Sequence, residues 1–218
     1  MRRLIRALVA VVAGAGVLTA CGSPSYTYVT NSDDHVYFKV PRTWHQVDQK
    51  ALEDVATSGL TATEAAALRA ATWSVAYDAD PKPSVDHLLG ATAKQPVALS
   101  RVLRVPEGNR GSITVDSLRN AFLPITDEAR LAASNGGTVV PEADMITDEV
   151  VKAKGAQGVH LVYRLPINGS LETFDQTAYK ADDGSRVYLF LVRCVQTCYS
   201  NRFGGELDDV VRSFTVEN

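Results

Sequence analysis

VHLVYRLPINGSLETFDQTAYKADDGSRVYLFLV, residues 159–192, holds three apolar runs separated by two glycine-containing turns. Val159, Leu161, Tyr163, Leu165 and Ile167 alternate with polar neighbours, the two-residue period of a strand with one buried face. Asn168-Gly169 follows, Leu171 to Lys180 returns, Asp183-Gly184 turns again, and Val187 to Val192 is apolar throughout. Asn-Gly and Asp-Gly suit type I′ turns, whose two central residues both need positive φ. The stretch therefore predicts a three-stranded antiparallel meander. Its third run, with no polar interruption, predicts cover on both faces.

Moving outward, Phe203, Leu207, Val210, Val211 and Phe214 recur at the spacing of one helical stripe, an amphipathic helix beyond the meander. Upstream, Val36 to Val40 alternates as a strand that ends at Pro41 and Trp44. Leu52, Val55 and Ala56 give Asp48 to Ala56 a helical period, and Ser58-Gly59 interrupts it. Thr61 and Glu64 then make a capping box ahead of Ala65 to Ala71. Trp73 to Tyr77 and Val97 to Val105 read as strands, with Val85 to Ala93 a helix or helical turn between them. Pro106 to Gly111 reads as a turn. Val115 to Phe122 and Asp127 to Ser134 read as helices parted by Pro124, the second closed by Asn135-Gly136 as a left-handed cap. Antiparallel strands with helices packed on them make an α+β fold, an antiparallel sheet flanked by helices.

The 218 residues are 45% hydrophobic and 22% charged, with a mean hydropathy of -0.05, the balance of a globular chain. There is no internal repeat and no linker to divide residues 31–218, which read as a single domain.

Residues 1–20 are of a different kind. Arg2, Arg3 and Arg6 precede the apolar run Ala7 to Leu18, whose twelve residues rise about 18 Å as a helix, too short for a bilayer core of about 30 Å. This is the pattern of an export signal. Leu18-Thr19-Ala20-Cys21 resembles the lipobox of bacterial lipoproteins. That resemblance implies lipid on the Cys21 thiol, cleavage before it, and a lipidated tether over residues 21–30. Two or more acyl chains hold a protein on a membrane stably. Loss of residues 1–20 takes three arginines and no acid, leaving 19 positive and 25 negative residues and a net charge of -6. With no basic cluster, nucleic acid is not expected as a partner, and the membrane contact is expected through lipid alone.

Cys194 and Cys198 remain, and an exported pair of thiols is expected to join. A fully extended chain holds their Cα atoms about 13 Å apart and a disulfide needs them within about 7 Å, so the backbone must turn between them. A redox-active dithiol is the alternative. Against it, the spacing is one residue longer than Cys-x-x-Cys, and Val195-Gln196-Thr197 supplies no cation.

Two stretches carry a family likeness: YFKVPRTW (Tyr37 to Trp44) and ELDDVVRSFTV (Glu206 to Val216). Together they resemble the PsbP-like fold and its actinobacterial lipoprotein relatives of the LpqN type. The resemblance implies an antiparallel sheet flanked by helices and a binding or assembly role without catalysis. It assigns no functional residues.

Catalytic motifs are sparse. There is no Gly-x-Ser-x-Gly elbow, no His-Glu-x-x-His and no phosphate-cradling glycine loop. His35, His45, His87 and His160 lie far apart in sequence; His45 reads as a loop residue and His160 as facing away from the core of its strand. Asp33-Asp34, Asp182-Asp183 and Asp208-Asp209 place their carboxylates on diverging sides, and Asp78-x-Asp80 lacks the rest of a calcium loop. Tyr26, Tyr28 and Tyr37 are candidate aromatic contacts for a partner. No catalytic, metal or cofactor-binding residue is expected. The expectation is a lipid-anchored module on the extracytoplasmic face of the membrane, holding an envelope protein or small ligand between sheet and helices. The alternatives are an envelope enzyme with a site dispersed over loops, and a thiol-disulfide protein using Cys194 and Cys198.

Overall fold

The run from Val159 to Val192 folds as the meander its periodicity predicts: β7 (Ala156–Ile167), β8 (Ser170–Ala181) and β9 (Arg186–Val195), paired antiparallel. The computed structural model describes residues 25–90, 93–202 and 204–217. The signal segment 1–20, Cys21, residues 22–24 and Phe203 lie outside the described residues.

At the first turn Asn168 (φ 47°) and Gly169 (φ 80°) are both left-handed, as a type I′ turn requires. The second turn differs from expectation. Four residues, 182–185, join the strands, and of the two central residues only Gly184 (φ 71°) is left-handed. The Gly184 amide donates to the Ala181 carbonyl at 2.8 Å, so a longer loop needs one left-handed residue and not two.

Among the described residues the meander belongs to a seven-stranded sheet, with β3 (His45–Gln46), β4 (Thr72–Asp78), β5 (Val97–Arg104) and β6 (Asp144–Ala153), in the order β3-β4-β5-β9-β8-β7-β6. A second sheet stands apart from it: β1 (Tyr26–Asn31), β2 (Val36–Pro41) and β10 (Thr215–Val216), in the order β1-β2-β10. The α+β architecture of antiparallel strands flanked by helices is the one expected, with two details added. There are two sheets, and residues 26–30, assigned to the tether, pair with β2 from Tyr26↔Pro41 onward.

Strand alternation gives the large sheet two unlike faces. On one, Val75, Val102, Tyr188, Phe190 and Val192 meet Val36, Phe38 and Val40 of the small sheet. They also meet Leu207, Val210 and Phe214, from α6 (Gly204–Arg212) and just beyond it. Phe190 stacks on Phe214 with ring centroids 4.7 Å apart and packs against Phe38 at 5.1 Å. On the other face, Leu161, Tyr163, Phe174, Leu189 and Leu191 pack under Leu118 and Ile125, and Tyr163 stacks flat on Phe174. β9 is buried on both sides, as its uninterrupted apolar run predicts.

Helices cover that second face. α1 (Gln49–Ala56) starts where the Asp48 carboxylate accepts from the Ala51 amide at 2.7 Å. α2 (Ala62–Ala71) starts at the expected capping box, with the Thr61 amide donating to Glu64 and the Glu64 amide to Thr61 Oγ1. α3 (Val85–Leu89) and α4 (Val115–Arg119) are single turns. α4 stops short of Phe122 because the Asn120 side chain accepts from the amides of Ile125 and Thr126 and folds the chain back. α5 (Asp127–Asn135) forms as expected, but Gly136 has φ -83° and the left-handed residue is Gly137 at +86°.

Candidate functional site

The short helices leave a groove above part of the sheet, whose floor residues are themselves buried. β5, β9 and β8 present Leu99, Leu191 and Phe174 on this face, with Arg193 paired across to Val97 and Phe174. Leu89 and Gly90 at the end of α3 wall one side, Phe122 and Leu123 the other, around a groove of about 260 Å³. Leu89 is half exposed at its lip.

A buried ion pair lies at one end of the floor. Arg193 Nη2 donates to the Gly90 carbonyl at 2.6 Å and stands 3.4 Å from Glu172 Oε2. Its guanidinium lies 5.3 Å from the centre of the Phe174 ring. Glu172, fully buried on β8, accepts from the Ala93 amide at 3.0 Å. Burial pushes the Glu172 carboxyl up, against the opposing pull of Arg193 and the Ala93 amide. Arg193 Nε and Glu172 Oε2 have no hydrogen-bond partner. A buried pair of this kind contributes little net stability; breaking it costs more, because one charge is left alone. An apolar trough with a fixed cation at its base is suited to a group that is apolar along its length and polar at its end.

The histidines do not converge. His87 Nδ1 lies 2.8 Å from Asp78 Oδ2, and Asp78 also accepts from the amides of Asp80 and Ser84. This explains the Asp78-x-Asp80 spacing as a pinned turn. His160 Nε2 lies 2.9 Å from Asp175 Oδ1, and the Tyr199 hydroxyl donates to the other oxygen of Asp175. The strand registers put Asp78 on the groove face and Asp175 on the opposite one. His160 indeed faces away from Val159 and Leu161. Its hydrogen bond to Asp175, opposed by partial burial, holds its pKa above the usual histidine value. Burial and the Asp175 carboxylate push the Tyr199 hydroxyl up. His45 lies in β3, not in a loop, and His35 occupies a left-handed turn position (φ 54°). Among the described residues no group of three or more His, Cys, Asp or Glu side chains is placed to hold a metal.

Cys194 and Cys198 form a disulfide with Cα atoms 6.0 Å apart, both buried. It folds the end of β9 into a π-helical turn, Cys198–Arg202, and so sets Tyr199 against Asp175. Asp33-Asp34 divides as its geometry predicts. Asp34 is buried and accepts from Asn31, Arg104 and Arg186, tying the β1–β2 turn to β5 and β9. Of the aromatic candidates, Tyr26 donates to Asp209 and lies beneath Lys39, while Tyr28 is 73% exposed. Sequence reasoning missed Glu172 and Arg193. The available signal was charge within strands of the meander, Glu172 in β8 and Arg193 in β9, although Asp175 shares that feature.

No family model matches the chain, and no curated protein matches its sequence. Solved structures do resemble it. The solution structure of cyanobacterial PsbP (CyanoP) from Synechocystis sp. PCC 6803 aligns over 93% of this chain and 98% of that one, at 14% identity and a TM-score of 0.51. The fold is PsbP-like. LpqN of Mycobacterium tuberculosis, described as involved in cell envelope biogenesis, aligns over 88% and 91% at 12% identity and a TM-score of 0.42. The Saccharomyces cerevisiae Ran-binding protein Mog1p aligns over 89% and 96% at 10% identity and a TM-score of 0.41.

Proposed function

We propose that the chain is a bacterial lipoprotein of the actinobacterial type, acting without catalysis as a binding or assembly module of the cell envelope. Lipid on Cys21 anchors it to the extracytoplasmic face of the membrane. The groove floored by Leu99, Leu191 and Phe174 takes an apolar portion of an envelope protein or small ligand. The observation that carries this reading is the apolar groove beside the buried Arg193–Glu172 pair. The lipobox and the acidic mature chain support the location. Two histidine–aspartate pairs on opposite sheet faces support a non-catalytic role, and burial of both sulfurs supports a structural disulfide.

Two measurements test it. Cys21→Ala moves the protein out of the membrane fraction; unchanged partitioning defeats the anchor. A photo-crosslinking residue in place of Leu89, on intact cells, captures a defined adduct that Leu123→Asp abolishes. Capture that ignores Leu123→Asp defeats the groove.

A further inference from the structure

A second arginine on the groove side of the sheet has no counter-charge. Arg101 of β5 pairs across to Ser74 and Leu189, near the opposite end of the strand from Val97, the neighbour of Arg193. Beside it, α1 and α2 enclose a cavity of about 80 Å³ with Ala56 and Leu68 as its apolar lining; Thr72, Ser74 and Arg101 line it from the sheet, and Gln49, Glu53, Thr57 and Arg69 from the helical side. Arg104, Arg119, Arg186 and Arg193 each reach a carboxylate. Among the described residues Arg101 makes no ion pair or hydrogen bond, and its Nε is buried without a partner, as is Thr72 Oγ1. The carboxylate in the cavity wall, Glu53, is engaged elsewhere: it accepts from Gln49 at 2.9 Å and stands 3.8 Å from Arg69. Burial alone pulls the Arg101 pKa down, with no acid to offset it.

A guanidinium does not deprotonate in a protein, so a half-buried one whose Nε lacks a partner carries a standing cost that an anion relieves. The volume has room for a few waters or one small molecule. The planar fork of arginine fits the two oxygens of a carboxylate, and Ala56 and Leu68 offer an attached alkyl group apolar contact. We infer that this cavity binds a short aliphatic carboxylate: its oxygens on Arg101 and the Thr72 hydroxyl, its alkyl group against Ala56 and Leu68. The site needs neither the groove at Arg193 nor the lipid anchor, so the two readings fail independently.

The test titrates the full chain with propionate and follows the arginine Nε–Hε NMR signals together with thermal unfolding. The expected result is a saturable shift of one arginine signal and a rise in Tm, both lost in Arg101→Met and weakened in Thr72→Val. Without propionate, Arg101→Met unfolds at or above the wild-type temperature, because it removes an unpaired charge. Arg212→Met, on the exposed side of α6, keeps the full response. The inference is overturned by the absence of a saturable shift, by a shift that survives Arg101→Met, or by a response to inorganic phosphate and not propionate. If Arg101→Met does not fold, Thr72→Val decides: binding at wild-type strength then overturns it.

Discussion

The two faces of the seven-stranded sheet solve burial differently. One is closed by another sheet and a nine-residue helix, and aromatic rings interlock across it: Phe38, Phe190 and Phe214 form a continuous contact. The other is roofed by α3 and α4, five residues each, by α1 and α2, and by connecting loops. Between them lie the groove at Arg193 and the cavity at Arg101, where Arg193 Nε, Glu172 Oε2, Arg101 Nε and Thr72 Oγ1 lack hydrogen-bond partners. The sealed face holds the fold together; the roofed face has room for something else.

Adjacent residues of β9 sharpen the contrast most. Phe190→Ala opens a void in the sealed face and is expected to cost about 4 kcal/mol, whereas Leu191→Ala, beside the groove, costs about 2 kcal/mol. Urea unfolding measures both, and equal losses would break the comparison. Asp34→Asn loosens the clamp between the sheets and costs about 2 kcal/mol, moderated because Arg104 remains partly in water. Although burial raises the Asp34 pKa, hydrogen bonds from Arg104, Asn31 and Arg186 hold it below 3.8. The clamp is therefore at full strength above that value and is lost as pH falls through the lower, folded one. Asp34→Asn should remove that part of the acid dependence, and an unchanged acid profile would exclude the clamp.

Cys198→Ser opens a four-residue link and is expected to cost about 2 kcal/mol, with Tyr199 released from Asp175. Retention of the Tyr199 hydroxyl signal in NMR would show that the disulfide does not position it. His160 contributes least, about 1 kcal/mol through its bond to Asp175. Its folded pKa lies above the unfolded value near 6.5, so the contribution is complete below that pH and is lost as pH rises through the folded value. His160→Gln should flatten stability between pH 6 and 8, roughly the interval in which histidine titrates.

The elements legible in the sequence are those with a one-sided apolar period or a fixed pairing of cap residues. The meander, the Leu207–Val210 stripe and the Thr61–Glu64 box all announce themselves locally. β6 was not legible because nearly all its residues are exposed, so nothing in Asp144–Ala153 alternates. β1 was missed for a related reason: half-buried Thr27, Val29 and Asn31 alternate with exposed Tyr28 and Thr30, so its inner side carries little apolar surface, and it reads as tether. The site was illegible for a different reason. Glu172, Arg193 and Gly90 meet only through strand register and the placement of α3, which no local spacing encodes. His160 was readable by its phase, but its partners Asp175 and Tyr199 were not.

β2 takes β1 on one side through a short hairpin, and on the other side β10 from the far end of the chain, 174 residues away at the Lys39–Ser213 contact. That distance sets an order of events. The hairpin can close early, but one flank of β2 keeps its amides and carbonyls unsatisfied until the last residues arrive, since distant pairings form slowly. A chain clipped before Thr215 would expose that flank as a template for a neighbouring chain's strand. Two residues of tail thus cap part of an edge that would otherwise be open to pairing.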